Sequence, residues 1–238
     1  MQGEEALQSK WSGFITGNQL KIIALVAMTC DHVGKELLPQ FTWLQIIGRL
    51  AFPIFAYMIA EGCLHTKNRR RYLFMIGGLA LACQVVYFAA MGSLYQSVLV
   101  TFTLAILLIY FADWVKTHAN PLLAAIAIAG SFGLVWFVSV ELPVVLWRTD
   151  YNIDYGFAGI LLVVGIYYAK GPWAKLLTAA GVLIVLGLTF EGIQWYGLLA
   201  LPLLALYSGR RGKQNLKYLF YIYYPVHLVC IYLISLMI

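Results

Sequence analysis

The sequence predicts an all-α fold: a polytopic integral membrane helical bundle of about nine transmembrane helices. Three observations carry that prediction. Hydrophobic residues fill 62% of the 238 positions and charged residues only 11%, too little polarity to cover a water-soluble domain of this size. The apolar residues fall in runs of ~20, the length at which a helix crosses a ~30 Å hydrocarbon core. The basic residues gather in alternate connections between those runs.

The apolar segments, in order, are 19–38, 43–64, 71–91, 97–115, 121–140, 155–169, 173–190, 195–207 and 217–238. The sixth is short for a span, and the eighth shorter still, so the eighth is expected to be tilted or partly re-entrant. The stretch before the first segment, MQGEEALQSKWSG, lacks the n-region and small-residue cleavage site of a signal peptide. The first segment is therefore expected to be retained. With the N-terminus in the cytoplasm, the cytoplasmic connections hold Lys10, Lys21, Lys67, Arg69, Arg70, Arg71, Lys116, Lys170, Lys175, Arg210, Arg211, Lys213 and Lys217. The opposite side holds Lys35 and Arg148, and Arg49 lies inside the second segment. That asymmetry orients the chain and puts the C-terminus outside. The longest polar connection, Glu141 to Asp154, then lies outside and can roof a site. One transmembrane domain, 1–238, accounts for the whole length. No internal repeat is visible, which weighs against a transporter built of paired halves. Cys30, Cys63, Cys83 and Cys230 are scattered through apolar runs without CxxC spacing, so free thiols are expected and a metal site is not.

Charge inside the apolar segments marks the candidate chemistry. Asp31 and His32 lie ~15 Å along a helix from Lys21, near mid-membrane. Arg49 is ~9 Å from Trp43 along the next segment, and His227 is ~15 Å from Lys217 along the last. Thr101 and Thr103 lie in the outer part of the fourth segment, with Asp154 and Tyr155 at the start of the sixth. Adjacent helical residues do not face each other, so Asp31 cannot orient His32. Asp31 is expected to pair with Arg49, as a structural ion pair or as the wall of a catalytic pocket. His32 needs a partner elsewhere, and its ring can exchange a proton near neutral pH. His227 follows Pro225, which frees backbone carbonyls, so His227 is either a second catalytic candidate or the satisfier of a carbonyl.

A second cluster sits at the cytoplasmic side: Glu61 and His65 at i,i+4, Asp113, then Lys67, Asn68 and Arg69 to Arg71, with Arg210, Arg211 and Lys213 further along. Such loops bind anionic membrane lipid in many proteins. The alternative is a phosphate-binding mouth for a nucleotide-bearing substrate. Nucleic-acid binding needs an exposed basic face with stacking aromatics. Here the aromatics lie within the spans, so no nucleic acid is expected. The chain has no P-loop, GxGxxG in a strand–helix setting, HExxH or GxSxG.

Five stretches carry a family resemblance, in one order along nearly the whole chain. They are LKIIALVAMTCDHVG (20–34), IIGRLAFPIFAYMIAEGCLHTKNRRRY (46–72), the TL ending at Leu104 with Asp113, DYGFAGILL (154–162) and YPVHL (224–228). On these the chain resembles the TraX family, named for the membrane protein that N-acetylates F-type pilin. GRLAFPIFA and EG..HT....RY are the specific pieces. One departure is Leu99, where the family often has Asn four residues before Thr103. The resemblance implies an acetyl-CoA-dependent acetyltransferase of the bacterial inner membrane, akin to larger transmembrane acyltransferases. It implies that acetyl passes from cytoplasmic acetyl-CoA to an amine or hydroxyl: a pilin N-terminus, another protein, a glycan or a lipid. Glu61, His65, Lys67, Arg69, Arg70, Arg71, Arg210, Arg211 and Lys213 would then hold acetyl-CoA. His32 would be the general base, with His227 the other imidazole and Asp31 beside it. Arg49 and a hydroxyl such as Thr103 or Tyr155 would stabilise the oxyanion. A proton-coupled transporter using Asp31, His32, Arg49 and Glu61 is the alternative, and a non-catalytic assembly factor is a third.

Overall fold

Apolar helical runs punctuated by caps, glycines and prolines fold as the sequence predicts, into helices. In the computed structural model, residues 13–213 and 216–237 are described, and among them there are helices and no strands. The helices are α1 (Gly17–Glu36), α2 (Thr42–His65), α3 (Arg69–Met91), α4 (Val98–His118), α5 (Pro121–Val145), α6 (Gly156–Tyr168), α7 (Pro172–Phe190), α8 (Gly192–Ala205) and α9 (Lys217–Ser235). Five of them, α2, α3, α4, α5 and α7, are long and apolar enough to cross a membrane. α6, α8 and the 222–235 part of α9 are apolar but shorter. α1 has the length of a span, but Lys21, Asp31, His32, Lys35 and Glu36 dilute its hydropathy. The chain clusters into two compact units, one of residues up to Met58 with those from Ala169 onward, the other of Ile59–Tyr168.

In the first unit, α1 starts in a capping box: the Gln19 amide donates to the Thr16 hydroxyl, and the Gln19 side chain accepts from the Thr16 amide. Its next free amides are met by a loop. Gly17 donates to the Arg210 carbonyl at 2.8 Å and Asn18 to the Arg211 carbonyl at 3.0 Å. Leu20, Ala24, Ala27, Asp31 and Gly34 recur at intervals of three and four and form its buried face. α2 approaches that face closely, because Gly34 and Gly48 have no side chains there. A Cβ on Gly34 would press on Leu44, and one on Gly48 would overlap Asp31. α2 breaks at Arg49–Leu50, between helical stretches Thr42–Gly48 and Ala51–His65. Pro53 explains the break: it has no amide to donate to the Arg49 carbonyl, and its ring crowds that oxygen. The eighth segment, expected to be tilted or partly re-entrant, is a 3-10 helix (Gly192–Leu199) running into a short α-helix (Ala200–Ala205).

In the second unit, Asn68 caps α3 by accepting from the Arg71 amide at 2.9 Å, and Gly92 closes it at φ 65°. α6 has only 13 residues, yet Ile160, Leu162, Val163 and Ile166 are fully buried. α3 is the opposite case, with Phe74, Leu81, Val85 and Phe88 all turned outward, as suits a helix facing hydrocarbon. α5 continues past the expected end at 140 through a π-helical turn, Phe137–Glu141, to Val145. The polar connection therefore begins after Val145 rather than at Glu141. It is tied to the α3–α4 loop: Asp150 accepts from the Ser93 hydroxyl and from the Leu94 amide, the latter at 2.8 Å. Cys63 is buried and Cys30 and Cys83 half-buried, while Cys230 is exposed rather than enclosed.

Candidate functional site

The break in α2 delivers Arg49 to α1. Arg49 Nη2 donates to Asp31 Oδ1, and the pair is buried, with side-chain exposures of 6% and 11%. The Arg49 Nε also donates to the Gln45 carbonyl at 3.3 Å, and the Gln45 amide reaches the Gly34 carbonyl at 3.1 Å. Asp31 has a second cation: Lys35 Nζ lies 2.6 Å from Oδ2. The expected ion pair is thus a triad, and Lys35, which reads in the sequence as a topology signal, joins it from i,i+4. One buried carboxylate between two cations leaves a net positive charge beside His32.

His32 turns away from Asp31 to α9. Its Nδ1 lies 3.0 Å from His227 Nε2, with ring centroids 5.0 Å apart. His227 Nδ1 is 2.9 Å from the Tyr223 carbonyl oxygen. His227 therefore meets a backbone carbonyl near Pro225, as one reading of the sequence has it, and it also meets the other imidazole, a contact the sequence does not suggest. The Tyr223 ring stacks on His227 at 5.3 Å and 12°, and Tyr224 meets it edge-on at 5.5 Å. Tyr223 is anchored in turn. Thr29 donates to the Leu25 carbonyl at 2.9 Å, so at 2.7 Å the Tyr223 hydroxyl donates to Thr29. Leu25, Ala27, Met28 and Ala51 pack beneath.

The second unit holds its own polar cluster. Arg69 Nη1 pairs with Asp113 Oδ2 at 2.9 Å, and its Nη2 donates to the Tyr167 hydroxyl at 3.1 Å. Asp113 accepts from Tyr167 at 2.6 Å and from Tyr168 at 3.0 Å. The guanidinium lies 5.0 Å above the Tyr110 ring, and Lys116 lies 4.2 Å above the Tyr168 ring. Arg69 is thus committed to a clasp joining α3, α4 and α6. Sequence reasoning missed both tyrosines, because an aromatic pair at a helix end reads as an interfacial anchor. Beside the clasp, α3 and α4 flank an open groove of about 660 Å³, lined in part by Arg70, Leu73, Tyr110, Trp114 and Lys116.

The remaining candidates divide between the units. Glu61 is buried and 3.4 Å from His65, which is exposed. Lys67, Arg70 and Arg71 are exposed around the start of α3. Arg210, Arg211 and Lys213 are exposed on the loop whose carbonyls cap α1. Thr103 donates its hydroxyl proton to the Leu99 carbonyl at 2.7 Å, so serving an oxyanion would require that bond to open. Thr101 is fully buried and donates to the Asp154 carbonyl at 2.5 Å, joining the start of α4 to the turn before α6. In that turn Tyr155 and Gly156 both have positive φ, 60° and 51°, a conformation that L side chains rarely adopt. Lys10 and Ile238 lie outside the described residues.

The chain is 27% identical to "Probable fimbrial assembly protein FimC, serogroup H1" of Dichelobacter nodosus, over 88% of this chain and 91% of that one. It is 26% identical to "Protein TraX" of Escherichia coli K12, over 70% of this chain and 62% of that one. An uncharacterized protein of Rickettsia prowazekii is 27% identical over 61% of this chain and 52% of its own. No solved structure matches the chain. The family model described as TraX protein matches residues 16–235, which takes in both imidazoles, the ion triad and the clasp, and the chain belongs to the TraX family.

Proposed function

We propose that this chain is a membrane acetyltransferase that moves an acetyl group from acetyl-CoA to an amine or hydroxyl. The observation that carries the reading is the His32–His227 pair, held beside the buried Asp31–Arg49 pair and its half-exposed partner Lys35. His32 is the general base. It takes the proton of the acceptor as the acceptor N or O attacks the thioester carbonyl. The carbon–sulfur bond then breaks, and the CoA thiolate leaves with the proton held by His32. Arg49 and Lys35 supply fixed positive charge near the developing oxyanion.

The nucleotide end of acetyl-CoA belongs at the basic helix ends. The α3–α4 groove offers Trp114, 58% exposed, as a ring face for a base, with Arg70 and Lys116 for phosphate. Lys67 and Arg71, beside the start of the same α3, are further phosphate contacts of this reading, and Glu61 with His65 shapes the mouth. A fimbrial subunit is the acceptor that the name of one relative, a probable fimbrial assembly protein, suggests. The membrane is the bacterial inner membrane, with acetyl-CoA entering from the cytoplasm.

The test is the full chain in lipid vesicles with isotope-labelled acetyl-CoA and a bacterial membrane extract as acceptor source. Free CoA and labelled product are expected together, and His32→Ala should lower their rate about 10²–10⁴-fold. Product formation that His32→Ala leaves unchanged would refute His32 as the base, and imidazole catalysis falls altogether if His227→Ala leaves it unchanged too. Proton-coupled solute flux with no labelled product would support the transporter instead.

A further inference from the structure

The hydrogen-bond chain through the two imidazoles has a direction. The Tyr223 carbonyl can only accept, so the His227 Nδ1 that lies 2.9 Å from it carries a hydrogen. With His227 neutral, its Nε2 then bears a lone pair. That lone pair faces His32 Nδ1 at 3.0 Å, so His32 Nδ1 must carry the hydrogen of that bond. A neutral His32 then has its own lone pair on Nε2. The geometry points to His227 as a positioning residue that locks His32 in the Nδ1–H tautomer and so makes Nε2 the basic atom. This rests on the acetyltransferase reading for its chemical meaning, but the tautomer itself does not.

The surroundings support a locked arrangement. A flip of His227 about χ2 would set Cδ2 against the Tyr223 carbonyl and Cε1 against His32, so both hydrogen bonds would be lost. Tyr223 stacks on the ring face and Tyr224 abuts its side, so the ring cannot turn without moving both. Tyr223 is itself tied to α1 through Thr29. The same α1 carries His32 three residues later, so both ends of the relay are referenced to one helix. When Nε2 of His32 takes a proton from the acceptor, the new cation keeps its Nδ1–H bond to His227. The N–H bond formed at Nε2 replaces the one broken at the acceptor, and the charge is shared toward His227. An acid orients the base in a Ser-His-Asp triad. Here Asp31 is held by Arg49 and Lys35, and a second imidazole fills that place.

The experiment is nitrogen-15 magnetic resonance of the histidine-labelled full chain in lipid vesicles, at a pH where imidazole is neutral. The signals are assigned by His65→Ala, His118→Ala and His227→Gln. The expected spectrum shows His32 protonated on Nδ1 and bare on Nε2. His227→Gln places an amide oxygen where Nε2 stood, and should keep that tautomer and most of the turnover. His227→Ala removes the acceptor: His32 should revert to Nε2–H, and kcat should fall about 10²-fold or more, with KM for acetyl-CoA unchanged. A wild-type His32 protonated on Nε2 would overturn the inference whatever the activity of the variants. An unchanged His32 tautomer in a folded His227→Ala would overturn it as well. Failure of the acetyltransferase reading shows separately, as turnover that survives His32→Ala.

Discussion

Asp31 illustrates how a single buried carboxylate organises its neighbours. Its two oxygens are shared between Arg49 and Lys35, so removing Asp31 strands two cations and removing Arg49 leaves the buried carboxylate with only the half-exposed Lys35. Asp31→Ala and Arg49→Ala should each cost about 3–5 kcal/mol, the usual penalty for breaking a buried pair from one side. Lys35 is 42% exposed, so Lys35→Ala should cost far less. Thermal unfolding in detergent checks this: similar melting points for all three variants would mean that the pair is not held as described. The Asp31–Arg49 pairing is legible in the sequence, because helix geometry forbids Asp31 from facing His32 and Arg49 is the cation at hand. Lys35 is equally legible in principle, since i,i+4 spacing to Asp31 is a standard helical pairing. Its place at a helix end makes it read as a topology signal instead. The His32–His227 contact joins residues 195 positions apart. No periodicity encodes such a contact, and each imidazole separately could be explained by local backbone chemistry.

At the scale of helices and their connections, the ends carry the testable chemistry. The groove between α3 and α4 has Arg70 and Lys116 on its rim, while Arg69 is occupied by Asp113 and Tyr167. If the groove takes the phosphates of acetyl-CoA, Arg70→Gln with Lys116→Gln should raise KM for acetyl-CoA about tenfold or more, since one charge-assisted contact is worth ~1.5–3 kcal/mol. kcat should change little. An unchanged KM would return these residues to the ordinary role of basic loops on lipid. At the other end of the second unit, Asp150 holds the α3–α4 loop. The Ser93 hydroxyl and then the Leu94 amide stabilise its carboxylate and lower its pKa from the ordinary value. A lowered folded pKa means that the contribution is present above the unfolded value, about 4, and is lost as pH falls through the folded one. Protection of the Leu94 amide, its exchange rate relative to an unstructured amide at the same pH, should thus be high at neutral pH and fall in acid. In Asp150→Ala it should be low at both. Helix positions are largely visible in the apolar runs and their caps, as with Asn68 before α3 and Asn120 before α5. The end of α5 is not, because Glu141 and Pro143 read as the start of a loop while a π turn carries the helix through them.

For the whole molecule, the open quantity is how many helices cross. Among the described residues, five helices meet the length and apolarity of a span, whereas the charge asymmetry calls for about nine with the C-terminus outside. α6 is the instructive case. Its 13 residues reach only ~20 Å, short of a ~30 Å core. A helix exposed to lipid could not be that short without stranding polar backbone ends in hydrocarbon. α6 is not so exposed. Ile160, Leu162, Val163 and Ile166 are fully enclosed by protein, and its entry turn is bonded to α4 through Thr101 and Asp154. Enclosure removes the length requirement, so a short helix can complete a crossing. The flanking charges agree, with Arg148 on one side and Lys170 on the other. Reporters that are active on one side only, inserted near Asn152 and Gly171, should therefore give opposite answers across α6. The same pair placed near Glu191 and Gly209 should do so across α8, and a reporter after Ile238 should read outside. A C-terminal reporter alone records only whether the number of crossings is odd. Two non-crossing helices would leave it unchanged, and the flanking pairs resolve that ambiguity. Matching answers on both sides of α6 would mean that it enters and leaves by one face. The positive-inside argument would then fail at Lys170, and the second unit would have one crossing fewer than its charges demand.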